Sequence, residues 1–202
     1  SSSEEIREFF KDGIKILDYF KKNKGKYFSK KGWFLVGCEI PISIVPNNAY
    51  KNVIYNGFLD VVLYHEPTDT FQIIDIKTST KGWNSYAKKD EEKQFQLILY
   101  KKFFAEQFGL EEKSIDVEFL IVRRKVYEEG EYPQKRIQTF SPASGKNKTT
   151  KATKLLNEFI YEAFDYKGYK EALHIPRPSK WNCHFCAFKE DEKLCNVLGK
   201  NS

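Results

Sequence analysis

Along residues 4–22, Ile6, Phe9, Phe10, Gly13, Ile14, Leu17 and Phe20 recur at three- and four-residue spacing, with Lys, Glu and Asp between them. That period predicts an amphipathic helix. A basic, Gly-containing connector (21–31) follows, and the pattern then changes to apolar runs. Residues 33–45 read as a strand closed by Pro46-Asn-Asn, and 53–64 as a second. Residues 71–77 read as a third, reached through a hairpin-like turn at 65–70 containing Glu-Pro-Thr-Asp. A polar, basic loop (78–90) leads into a helix at 90–108 that is apolar on most of its circumference. Residues 115–126 form another strand, ending in Arg123-Arg124-Lys125, and 135–140 its hairpin partner. After a basic Gly/Asn/Thr loop (141–151), Leu155, Leu156, Phe159, Ile160 and Phe164 mark a helix over 152–164. With no internal repeat and no linker, residues 1–202 read as a single domain carrying a Cys-containing tail at about 174–202.

Three of the strands each hold a lone acid: Glu39, Asp60 and Asp75. Because side chains alternate along a strand, Asp75 and Lys77 share a face while Ile74 and Ile76 take the other. A charged pair at the end of an apolar strand is costly to desolvate and calls for a partner such as a metal, a phosphate or other charges. Asp75-x-Lys77 by itself also fits a wet strand edge, and three separate acids fit three strand ends. Taken together, carboxylates on neighbouring strands fit a shared divalent cation, which offsets their repulsion. On the following helix, Gln96-x-x-x-Tyr100 puts two polar tips on one face, with Lys93 one turn earlier. Both also fit the rim of a packed helix.

Composition narrows the partners. The 202 residues suffice for one sizeable core, and 16% aromatic content can fill it. Net charge is +6, with 34 Lys and Arg, which suits a polyanion as well as a merely soluble surface. No apolar run is long enough to span a membrane. The opening Ser-Ser-Ser-Glu-Glu lacks a signal-peptide layout, so a cytoplasmic location is expected. The chain contains no Met, so it is expected to begin downstream of the natural start. Four Cys without a secretory signal fit a reducing compartment. Cys183-His-Phe-Cys186 and Cys195 have metal-ligand spacing, with His184, His174 and Cys38 as further candidates; a packed cluster of reduced thiols fits the same spacing.

The assembled pattern, Gly57-Phe-Leu-Asp60, then Asp75-Ile-Lys77-Thr78, then Gln96-x-x-x-Tyr100, resembles the RecB-like branch of the PD-(D/E)XK nuclease superfamily. The resemblance covers about residues 33–125, plus a tail similar to that branch's Cys-x-x-Cys…Cys ending. The loop Thr78-Ser-Thr-Lys-Gly-Trp83 and the Lys-Lys-Asp-Glu before Gln96 look like nucleases of this type in phages. The resemblance implies an α/β (α+β) fold with a restriction-endonuclease-like core. This is a central mixed β-sheet flanked by helices, in the order αβββαβ, with an added hairpin and a C-terminal helix.

It also implies a Mg²⁺- or Mn²⁺-dependent deoxyribonuclease, an exonuclease or end-processing enzyme in DNA recombination, replication or repair. Such an enzyme would act in the cytoplasm of a bacterial or phage-infected cell, on single-stranded DNA or duplex ends, alongside a recombination or replication protein. Asp60 and Asp75 would bind metal, Lys77 would be the active-site lysine, and Gln96 and Tyr100 would position the site, with Glu39 a further acid. Thr78, Ser79, Lys81, Trp83, Lys88, Lys89, Lys93, Arg123 and Arg124 would contact DNA. Trp83 and Tyr100 fit stacking on an unpaired end and ordinary packing equally. Cys183, Cys186 and Cys195 would be ligands of an iron–sulfur cluster or zinc. Many relatives carry a metal-binding His on the N-terminal helix, whereas Gly13-Ile-Lys-Ile-Leu-Asp18 holds none. A catalytically weakened, nucleic-acid-binding member of the fold is therefore the alternative.

Overall fold

In a computed structural model that describes residues 2–28, 30–127, 133–170, 180–184, 186–191 and 195, the first helix, α1 (Ser3–Tyr27), starts at a reciprocal cap. Ser2 Oγ accepts from Glu5 N at 3.2 Å, and Glu5 Oε2 accepts from Ser2 N at 2.8 Å. The helix runs through the basic segment expected to be a connector. Lys24 and Lys26 suit the negative end of its dipole, and Tyr27 joins Tyr19 through their hydroxyls at 2.9 Å.

Three antiparallel strands follow in sequence order: β1 (Trp33–Ile44), β2 (Tyr55–His65) and β3 (Thr70–Ser79). The polar loop after β3 is not wholly irregular, because Asn84 caps a short helix, α2 (Ser85–Lys89). The next helix is α3 (Glu91–Phe108), capped by Asp90 and closed by Gly109 at φ 66°. It delivers the chain to β4 (Ile115–Arg123), which pairs parallel with β3, and β5 (Ile137–Phe140) pairs antiparallel with β4. The sheet order is β1-β2-β3-β4-β5, with helices on both faces, as a restriction-endonuclease-like α+β core requires.

One face of the sheet, through Ile42, Leu59, Ile73, Phe119 and Ile121, buries Leu97, Ile98 and Phe103 of α3. The other, through Val61, Leu63, Ile74, Leu120 and Val122, packs Ile16, Tyr19 and Phe20 of α1. Burial of each such side chain contributes roughly 1.5–3 kcal/mol relative to exposure. A further helix, α4 (Lys146–Ala163), covers α3 from outside and begins well before the expected 152. Lys148 and Lys151 reach Glu91 of α3 at 2.7 and 2.5 Å, and Thr149 and Ala152 are buried. Those tertiary contacts hold a turn that local composition marks as loop. Similarly, β4 stops at Arg123 because Arg124 N and Lys125 N turn to bond Ser79 O and Thr80 O. The short α5 (Lys180–His184) lies in the tail.

Candidate active site

The site lies where β2 and β3 part. Their ladder runs from His65–Thr70 to Val61–Ile74 and stops there, while β3 continues against β4 as far as Ser79–Arg123. Asp60 and Asp75 are the next residues into that fork. Asp60 Oδ2 accepts from Ile76 N at 2.6 Å, so a carboxylate takes over where the backbone ladder ends. The strand also turns over here: Leu59 belongs to the α3-side core and Val61 to the α1-side core, although they are two residues apart. Level with Asp60 on β1, between the Cys38–Val61 and Ile40–Leu59 pairs, Glu39 has φ 54°. A non-glycine residue held there costs about 1–3 kcal/mol.

Asp75 is 3% exposed, on the α3 side of the sheet, and Lys77 Nζ lies 2.9 Å from its Oδ2. Burial pushes the Asp75 carboxyl above the usual carboxylate range, Lys77 partly offsets that, and the Asp60 charge adds to the rise. The ion pair lacks hydrogen-bond geometry, so Oδ2 remains a buried acceptor without a hydrogen-bond donor. Lys77 Nζ also donates to Gln96 Oε1 at 3.2 Å, and Gln96 Nε2 donates to Tyr100 OH at 3.0 Å. The Tyr100 ring rests on Gly57: a Cβ at that position would lie 2.6 Å from Tyr100 Cε1. Gly57, Lys77, Gln96 and Tyr100, scattered over two strands and a helix, thus form one connected chain ending at Asp75.

Glu39 is exposed on the edge strand. Among the described residues no three His, Cys, Asp or Glu side chains form a group that could hold a metal ion. Asp60 and Asp75 are therefore the acids brought together. Their donor set still fits Mg²⁺ or Mn²⁺, since Asp75 Oδ2 is an orphaned buried oxygen of the hard type these ions take, with water filling the remaining positions. In place of a His, α1 turns Asp12 inward, 5% exposed. Its Oδ2 lies 3.4 Å from Arg124 Nη1 and 3.1 Å from Lys125 Nζ, and Lys125 also pairs with Glu8.

The expected DNA contacts divide into two groups. Thr78, Lys81 and Lys89 are exposed, and Lys88 is half-buried over Phe140. Lys93 is held by Asp90 at 2.6 Å. Trp83, Ser79 and Arg123 instead build the turn. Trp83 packs on Phe119 at 5.0 Å, and its N and O bond Gln138 at 2.8 and 3.0 Å. Ser79 Oγ donates to Gly82 O and accepts from Gly82 N, each at 3.1 Å, and Arg123 Nη1 donates to Lys135 O at 2.8 Å. Arg124 stacks over Phe9 at 4.4 Å as well as pairing with Asp12. The aromatic that this turn presents to solvent is Tyr86 on α2, 84% exposed. An aromatic amid Asn-Ser-x-Ala-Lys-Lys was the sequence signal for it. In the tail, Cys183 and Cys195 are half-buried and Cys186 exposed, and none of these or Cys38 is in a disulfide. His174 lies outside the described residues.

The sequence profile of the PD-(D/E)XK nuclease superfamily matches residues 13–191, and the chain belongs to that superfamily, whose nucleases generally use divalent metals such as Mg²⁺ or Mn²⁺. No curated protein matches the chain. Among solved structures, one described as the crystal structure of SSO0001 aligns with a TM-score of 0.48 at 17% identity, over 94% of this chain and 70% of that one. No helix among the described residues is long and apolar enough to cross a membrane.

Proposed function

We propose that the chain is a Mg²⁺- or Mn²⁺-dependent deoxyribonuclease of the RecB-like type, hydrolysing phosphodiester bonds at DNA ends in recombination, replication or repair. The observation that carries this reading is the Asp75–Lys77–Gln96–Tyr100 chain opening beside Asp60 at the strand fork. A divalent ion held by Asp60 and Asp75 supplies Lewis acidity toward phosphate and water. Lys77 keeps its ammonium at the phosphate side of the fork, where a compact positive charge stabilises charge developing on the phosphoryl oxygens. Gln96 accepts one of its protons and fixes the direction of the others, and Tyr100 holds Gln96 in turn. Lys81, Lys88 and Lys89 bind backbone without reading sequence, and Tyr86 offers a face to an unpaired base. The exonucleolytic assignment, the cytoplasmic setting and a recombination or replication partner come with the RecB-like reading.

The competing reading, a binding-only member of the fold, is favoured by Asp12, since the one inward acid of α1 is already paired with Arg124 and Lys125. One experiment separates the two. Linear single- and double-stranded DNA is incubated with Mg²⁺ or Mn²⁺ and the wild-type chain, Asp75→Ala or Lys77→Ala. Loss of cleavage by about 10²–10³-fold in each variant, with DNA binding retained, is expected. Wild type that binds DNA but cuts no faster than the variants would leave only the binding reading.

A further inference from the structure

The outer face of α1 carries a stripe that the core does not use. Ile6, Phe10, Ile14 and Leu17 follow one another at four-, four- and three-residue spacing and are 59, 69, 45 and 65% exposed. The opposite face of the same helix already supplies Asp12, Ile16, Tyr19 and Phe20 to the interior. An exposed row of this size, with two leucine-sized side chains flanking an aromatic, marks an interaction surface more often than a bare helix face.

Gly13 sits in the middle of the stripe. Its backbone is ordinary helix, and a Cβ there would meet nothing within 4 Å in its own chain. Nothing in this chain therefore demands a glycine, which weakens a helix interior relative to alanine. What it provides is room for another backbone to approach. The charges along the helix are also unevenly arranged. Glu4, Glu5 and Glu8 lie in its first half, and Lys15, Lys21, Lys22, Lys24 and Lys26 in its second.

We propose that α1 is a dimerisation helix, on which a second copy of this chain docks antiparallel about a two-fold axis at Gly13–Ile14. With that axis, Phe10 of each copy lies against Leu17 of the other, and Ile14 against Gly13. The stem of Lys21 covers Ile6. Glu4 comes level with Lys22, and Arg7 and Lys11 come level with Asp18, so opposite charges flank the apolar stripe on both sides. Parallel pairing would instead set each acidic half against another acidic half. The self-complementary patch is what an isologous two-fold contact requires. It stands independently of the nuclease reading.

Sedimentation of the full chain over about 1–100 µM tests this, a range spanning the affinities of modest self-association. Concentration-dependent dimer is expected for wild type. Leu17→Glu and Phe10→Glu are expected to weaken it by at least about a hundredfold, because each buries an unpaired carboxylate, with helical circular dichroism unchanged. Gly13→Leu points into open space in the monomer and so leaves the fold intact while blocking the close approach. Ile14→Cys, next to the axis, is expected to give an oxidised dimer on a non-reducing gel that the native cysteines do not give. Glu4→Lys with Glu5→Lys weakens association, and mixing with Lys21→Glu, Lys22→Glu restores it as a mixed dimer. A wild type that stays monomeric throughout, as when the stripe serves a different protein, overturns the proposal. So does a dimer that survives both Leu17→Glu and Gly13→Leu.

Discussion

Gly57 is a position where a side chain and a neighbouring ring compete for the same space. Adding one methyl group would drive its Cβ to 2.6 Å from Tyr100 Cε1, and Tyr100 holds Gln96, which holds Lys77. Gly57→Ala is thus expected to lower kcat/KM for DNA cleavage by about 10–100-fold in a protein that still folds, since small misplacements of a reacting group are that costly. Tyr100→Phe keeps the ring and loses the hydroxyl, worth about 1 kcal/mol or roughly fivefold. Activity unchanged in Gly57→Ala would show that the chain from Tyr100 to Lys77 is not a positioning device. Trp83 and Tyr86 exchange the roles that residue type alone would give them. Removing the packed Trp83 side chain with Trp83→Ala is expected to cost about 2–4 kcal/mol of stability without DNA present. Tyr86→Ala should leave the melting temperature alone and weaken single-strand binding by about 1–3 kcal/mol.

On the scale of elements, α3 is the hub: one side lies on the sheet, the other under α4, and its exposed first turn is bridged to α4 through Glu91. The Lys148 and Lys151 ammonium groups hold the Glu91 carboxyl down at about 2. Being hub has a cost at Lys101, 7% exposed and 3.4 Å from Ser144 Oγ. Burial lowers its pKa from the ordinary 10.5, against the opposing pull of Asp116 and Glu112. A lysine depressed in the folded state destabilises that state wherever it must be protonated. The penalty is therefore full at neutral pH and relieved as pH rises from the folded value towards 10.5. Lys101→Met is expected to raise stability at pH 7 by about 1 kcal/mol, with the gain shrinking in alkaline buffer. Urea melts at pH 7 and pH 10 measure this, and a gain that is equal at both pH values contradicts it.

For the whole molecule, the consequence of a +6 charge and a two-carboxylate fork is linkage. Mn²⁺ at about a hundred times its dissociation constant should stabilise the wild type by about 2.7 kcal/mol. Asp60→Ala and Asp75→Ala should show no such shift in a thermal melt, a readout that needs no catalysis. DNA affinity should fall log-linearly with salt, and replacing both Lys81 and Lys89 by Ala should reduce the slope by about two. Replacing Arg123, whose guanidinium is tied to Lys135 O, should instead loosen the turn beside β3.

How much of this was legible in the chain itself differs by kind of feature. Periodicity located the strands to within a few residues and put Asp75 and Lys77 on one face, because alternation in a strand is a local property. The motif order Gly57…Asp60, Asp75…Lys77, Gln96…Tyr100 was readable for the same reason, as was the family. Local composition did not mark the start of α4, which depends on Glu91 fifty-odd residues earlier in sequence. Nor could it tell Trp83 from Tyr86, or show that Arg123 and Arg124 are tied into the framework, since these depend on what lies across the sheet. The place of Glu39 relative to the two aspartates was also beyond it. Strand order and the turn-over at Asp60 decide which acids meet, and those are properties of the packed sheet. The sequence by itself determined which side chains are available and on which face of each element they stand. The tertiary structure alone decided which of them converge, because convergence at the β2–β3 fork is set by contacts between residues distant in the chain.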